Sequence, residues 1–145
     1  MRITRHTDYG LRVLMYLSLH SGRVNIKDIA EAYNISRNHL MKVVHHLQLL
    51  GYVLTVRGKG GGITLNGKPE DILVGKVARD LESDIPLLEC FSGQDCCKIT
   101  EECQLKNAFA YAQDQFYDCL NQYSIARLVH GDKQIQELIQ LTAVH

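Results

Sequence analysis

Apolar residues recur every three or four positions over the first fifty residues of the chain, and the pattern then switches to alternation. In residues 7–20, T-D-Y-G-L-R-V-L-M-Y-L-S-L-H, the side chains Tyr9, Val13, Tyr16 and Leu17 keep helical spacing, which predicts a buried first helix. Thr7 is placed to cap it, Asp8 falls in its first turn, and Ser21-Gly22-Arg23 ends it. Asn25 then caps a short helix with an apolar face of Ile26, Ile29, Ala30 and Tyr33, and Asn34-Ile35 makes a turn. Ser36 caps a longer helix whose buried face is Leu40, Val43, Val44, Leu47 and Leu50, stopped by Gly51. A short helix, a tight turn and a longer helix make the helix-turn-helix pattern.

The stretch Y-V-L-T-V-R-G-K-G-G-G-I-T-L-N-G follows. Val53 and Val56 precede its glycine-rich turn, and Ile63 and Leu65 follow it. That predicts a two-stranded wing with Arg57, Lys59 and Gly60 near its tip. Residues 68–82, K-P-E-D-I-L-V-G-K-V-A-R-D-L-E, predict a fourth helix with Pro69 in its first turn and Ile72, Val74, Val77, Ala78 and Leu81 buried. Asp84-Ile85-Pro86 opens a loop. From Gln104, the residues Leu105, Ala108, Phe109, Ala112, Phe116, Leu120 and Tyr123 step by three and four, and no Gly or Pro interrupts the run to residue 129. One helix of that length would reach about 40 Å, more than a domain of this size can cover. The same helix of a second copy would complete the stripe, giving a two-fold homodimer. After Gly131, a last helix with Ile135, Leu138, Ile139 and Leu141 is predicted to pack back on the winged part. The expected fold class is mainly α: a winged helix-turn-helix (1–67), a linking helix and cysteine loop (68–103), a long dimerisation helix (104–130) and a terminal helix (131–145).

Composition adds three constraints. The chain has 145 residues, 46% of them hydrophobic, and two prolines, enough apolar material for a packed core. It contains no eighteen-residue apolar run and no apolar leader at its start, so a cytoplasmic protein with reduced thiols and no membrane partner is expected. The formal net charge is zero, yet residues 1–67 hold nine Lys/Arg against three Asp/Glu, a net of +6, and residues 68–145 a net of −6. The basic half suits a polyanion.

Candidate chemistry sits in two places. Ser36, Arg37, Asn38, His39 and Lys42 lie at or near the start of the second helix-turn-helix helix, outside its apolar stripe. That end enters the major groove in such proteins, where Arg pairs with guanine and Asn with adenine. A basic wing tip can lie along the backbone or in the minor groove, and its glycines permit close approach. The G-K-G-G-G run lacks the G-x-x-x-x-G-K-[ST] spacing of a phosphate loop. No paired carboxylates and no nucleophile–base arrangement point to an enzyme, and the adjacent His45 and His46 do not have the spacing of a shared metal pair. The second place is C-F-S-G-Q-D-C-C-K-I-T-E-E-C, residues 90–103, with four of the five cysteines. A disulfide framework is disfavoured by compartment and by the odd count. Zinc favours closer C-x2-C pairs. Wide gaps through a glycine-containing loop suit a larger iron–sulfur body. On spacing alone cluster and zinc both stay open, with a bare thiol sensor behind them. Cys119, on the long helix, reads as core or interface.

The stretches T-D-Y-G-L-R, I-S-R-N-H-L-M-K-V, G-Y-V-L-T-V-R-G-K-G-G-G-I-T-L and C-K-I-T-E-E-C-Q-L-K-N-A-F together resemble the iron–sulfur winged-helix regulators that include NsrR and IscR. The recognition-helix and cysteine stretches place the likeness on the nitric oxide-sensing NsrR branch. The resemblance covers nearly the whole chain. It implies a homodimer with one cluster per subunit, [4Fe–4S] in preference to [2Fe–2S], held by Cys90, Cys97 and Cys103. The C-K-I-T-E-E-C match selects Cys97, whereas a C-x5-C-x6-C reading would choose Cys96. It also implies a carboxylate from the first helix of the partner subunit, a position that Asp8 matches, with His6 as a nearby alternative. The implied function is repression from a palindromic duplex operator, relieved when nitric oxide nitrosylates the cluster, at genes of nitric oxide detoxification. Two alternatives are an iron- or redox-responsive regulator of the same fold and a small redox protein that does not bind DNA.

Overall fold

The computed structural model of the chain describes residues 2–83, 86–92, 99, 102–130, 133, 136 and 137. Helix α1 spans Arg5–Ser18. Its cap is Thr4, whose side chain accepts the Thr7 N–H at 3.2 Å. The helix therefore starts before the predicted cap, and Thr7 lies inside it, fully buried. The reason is that the Thr7 hydroxyl is committed elsewhere: it donates to Glu82. Gly10, Val13, Leu14 and Leu17 complete the inward face of α1.

Helix α2 (Ile26–Tyr33) begins as predicted at Asn25, whose side chain accepts the Lys27 N–H at 3.0 Å. It ends at Asn34, in the left-handed region at φ 51°, a conformation that Asn tolerates better than most residues. Helix α3 (Arg37–Leu49) buries Leu40, Val43, Val44 and Leu47 against α1 and α2. Ser36 stands at its cap position but makes no capping hydrogen bond, so its exposed hydroxyl remains available. Strands β1 (Val53–Val56) and β2 (Gly62–Leu65) pair antiparallel, with Val53 opposite Leu65 and Val56 opposite Gly62. Val53 and Ile63 are the anchors, buried to 1% and 5% exposure. Val56, next to the tip, is exposed.

Two predicted helices are shorter than expected, for one shared reason. Helix α4 covers Val74–Leu81 rather than 68–82. Helix α5 covers Gln104–Leu120, about 26 Å at 1.5 Å per residue, and a separate helix α6 (Ile125–His130) follows it. The segments between are stitched together. The Val74 N–H donates to the Tyr123 carbonyl and the Ile125 N–H to the Ile72 carbonyl, each at 2.9 Å. Backbone groups that a continuous helix would use internally are thus used across the chain. Asn121 fixes the corner. Its side chain accepts the Lys76 N–H at 2.8 Å, capping α4, whose own cap residue Leu73 supplies no such bond. The inward residues predicted for α4 are nonetheless buried. A 3-10 turn, Glu89–Ser92, carries Cys90. Ile135, Leu138, Ile139 and Leu141 lie outside the described residues.

Candidate nucleic-acid interface and cysteine site

Helix α3 is amphipathic in three parts. One face is core. A second flank joins the wing around a groove of about 420 Å³ that includes Arg37, Met41, His45, Gln48 and Arg57. The third flank, with His39 and Lys42, turns toward α1. Asn38 lies on the ridge between the two flanks, at helical spacing, and is exposed. Arg37, His39 and Lys42 are exposed as well, as the sequence predicted. Met41 was missed there. It is 47% exposed, and an exposed apolar side chain beside Arg37 suits contact with thymine methyls.

The wing is fastened at both ends. At the base, the Thr55 hydroxyl donates to the Gln48 side chain at 2.8 Å. The Tyr52 hydroxyl donates to Asp80 on α4, which also pairs with Lys76 at 2.8 Å. Burial and the bond to Asp80 push the Tyr52 phenol up to about 12. At the tip, Arg23 donates to the Gly60 carbonyl at 3.1 Å. Gly58 and Gly60 adopt φ of +91° and +78°, which only glycine does without strain. A Cβ at Gly61 would stand 2.3 Å from the Val56 carbonyl oxygen. The tip is therefore a defined shape that presents Arg57 and Lys59 to solvent.

Around the cysteines, Cys90 and Cys103 are free thiols, each partly exposed. Cys90 sits in the 3-10 turn and Cys103 immediately precedes α5. Cys96 and Cys97 lie outside the described residues. Asp8 is about half exposed on α1 and pairs with Arg12 at 3.0 Å. Among the described residues no three His, Cys, Asp or Glu side chains converge on one point. Cys119 is exposed on α5, outside the core.

The first helix is tied to the segment that leads into the cysteine loop. Glu82, buried at the end of α4, accepts the Thr4 N–H at 2.8 Å, the Thr4 hydroxyl at 2.7 Å and the Thr7 hydroxyl. Burial would raise its carboxyl. The bonds from Thr7 and Thr4, with the nearby His6, outweigh that and hold it below its ordinary range. His6 in turn shares a hydrogen bond with His46 of α3 at 3.0 Å. Burial and His46 lower the His6 imidazole, against an upward pull from Glu82. A chain of contacts therefore runs from the cysteine-loop entrance through α1 to the recognition helix.

The model of the Rrf2 family, described as an iron-dependent transcriptional regulator, matches residues 3–131. The chain belongs to the Rrf2 family. It is 44% identical over 142 residues to the transcriptional regulator NsrR of Bacillus licheniformis, spanning 96% of this chain and 99% of that one. It is 44% identical over 144 residues to NsrR of Bacillus subtilis, with 97% and 99% covered. Two solved structures share the fold at 24% identity. One is the cysteine regulator CymR of B. subtilis (TM-score 0.69, 92% of this chain and 99% of that one). The other is IscR of T. potens (TM-score 0.72, 94% and 91%). The chain is accordingly a DNA-binding transcription regulator of the NsrR type, not an enzyme. No helix among the described residues is long and apolar enough to cross a membrane.

Proposed function

We propose that this regulator is a homodimeric repressor whose iron–sulfur cluster makes its grip on a palindromic operator sensitive to nitric oxide. The full-length likeness to the NsrR regulators carries this reading. Thiolates are soft donors suited to iron–sulfur clusters, and the free, partly exposed Cys90 and Cys103 flanking one loop fit that chemistry. Cys97 would be the third thiolate and the partner subunit's Asp8 the fourth ligand, with [4Fe–4S] as the cluster. Bound there, the cluster supplies iron that reacts with nitric oxide.

The chain's own residues would convert that event into lost DNA affinity. A carboxylate from α1 of one subunit, set against thiolates of the other, would fix how the two protomers sit. Helix α5 supplies the seam. It packs on α4 partly through Tyr117 and the Arg79–Asp114 pair at 2.9 Å. Leu105 and Phe109 stay 63% and 40% exposed, with Ala108 and Ala112 beside them. Such a stripe on a monomer marks a protein interface. Once Asp8 and the thiolates are released, α1 no longer bridges the subunits. The two reading heads then lose operator spacing, and several phosphate contacts go together.

The test is an anaerobic nitric oxide titration of the purified holo-dimer, following absorbance near 400 nm, iron and sulfide content, and operator affinity on one preparation. Loss of the band in step with loss of affinity is expected. Affinity indifferent to the gas, or zinc in place of iron and sulfide, would overturn the proposal.

A further inference from the structure

A cavity of about 330 Å³ lies between the start of α1 and the outer flank of α3, lined by Arg5, His6, Tyr9, His39, Lys42 and Val43. No acidic side chain among the described residues lines it. It lies on the flank of the recognition helix away from the wing, since the wing groove uses Arg37, Met41, His45 and Gln48 instead. We propose that this notch is a second backbone clamp, in which Arg5 and Lys42 hold a phosphodiester on the wall of the major groove away from the wing.

The argument is geometric. An α-helix with its side chains is about 10–12 Å across, and the major groove is about 12 Å wide. A helix seated in the groove therefore has a sugar–phosphate strand against each flank. The wing serves one strand. The other flank needs cations of its own, and Lys42 with Arg5 supplies them from two different helices. His39 supplies a further ring nitrogen, and Tyr9 a phenol that can donate. The floor is Val43, almost fully buried, so the notch has a fixed base and a phosphate seated there would be partly desolvated. His6 is held at the rim by its bond to His46, which keeps α1 and α3 in register around the cavity. The sequence hid this site because Arg5 belongs to no motif and Tyr9 reads as core.

The inference rests on the DNA-binding reading above. Six to ten phosphate contacts are worth about 10³–10⁵ in affinity between 50 and 200 mM salt, or about threefold per contact. A dimer has two Arg5 side chains. Arg5→Gln in the anaerobically purified holo-dimer should therefore weaken binding, by a factor about tenfold larger at 50 mM salt than at 200 mM. It should also flatten the slope of log K against log salt by about 1.8. The loss should be equal for a preferred duplex, enriched by the wild type from a random-sequence pool, and for a scrambled one. Arg5→Lys should restore the slope. Arg5 is exposed in the first turn of α1, so the fold should be intact, with an unchanged thermal midpoint. A wild type that binds no duplex would overturn both readings. A wild type that binds, with an Arg5→Gln variant of unchanged affinity and slope, would overturn the clamp alone. So would inorganic phosphate that binds at matched ionic strength only when Arg5 is present and leaves duplex affinity unchanged, since that would assign the notch to a free anion.

Discussion

Glu82→Ala should cost the protomer about 3 kcal/mol. The carboxylate accepts from the Thr4 N–H, the Thr4 hydroxyl and the Thr7 hydroxyl. Hydrogen bonds to a charged group are worth about 1.5–3 kcal/mol each, and a buried donor left unpaired costs about 1–3 kcal/mol. Thr7 is fully buried and bears the larger part. Thr4 is only partly covered and regains water, so its two bonds contribute a smaller share. Glu82→Gln keeps an acceptor and loses the charge, so about half the cost is expected. Urea unfolding of the metal-free protein at fixed protomer concentration reads this out. With a slope of about 2 kcal/mol per M, the alanine midpoint should fall by about 1.5 M. The acid dependence carries the sign. The Glu82 carboxyl is depressed in the folded state, below its ordinary value of 4.5. Its contribution is therefore complete above the unfolded value and fades as pH falls through the folded one. The wild-type advantage over Glu82→Gln should be constant at neutral pH and vanish in acid. An alanine cost under about 1 kcal/mol, or an advantage that grows in acid, would refute the reasoning.

Other residues give sharper yes-or-no outcomes. Gly75→Ala would drive a Cβ to 2.0 Å from the Tyr117 carbonyl oxygen; a cost of about 1–3 kcal/mol is expected, measured as a lowered thermal midpoint. Phe109→Glu, on the exposed stripe of α5, should leave the circular dichroism spectrum intact and shift the protein to monomer in sedimentation velocity. Cys97→Ser should lose iron on anaerobic purification and Cys96→Ser should retain it; the reverse result would move the ligand to Cys96. Tyr52→Phe removes the bond to Asp80 and should cost about 1 kcal/mol in urea unfolding.

The reading half of the molecule was legible because its elements are local. Asn25 caps where its side chain reaches the next turn, Asn34 turns where its backbone goes left-handed, and Gly58 and Gly60 shape the wing. The errors share a physical origin. Nothing in 121–124 breaks a helix by composition, and nothing in 68–73 forbids one. Both ends unwind because they hydrogen-bond to each other, a pairing between residues fifty positions apart that local periodicity cannot see. The same limit hid Thr7: its role depends on Glu82, seventy-five residues away. On the cysteine side the spacing left an iron–sulfur cluster and zinc both open, and the ligand set belongs to the proposed reading.

The stitching of 72–74 to 123–125 bears on how such regulators can be recombined. A chimera cut after the wing at residue 67 would leave that stitching whole on one piece but would separate Thr4 and Thr7 from Glu82 and Tyr52 from Asp80. α6 would also lose its seat against α1. A functional graft of the reading half must bring α4 and α6 with it, two non-contiguous pieces of chain that the stitching holds together. Sensor and reader are therefore not exchangeable cassettes in this architecture, and new operator preferences are more readily introduced by changing the exposed side chains of α3 in place.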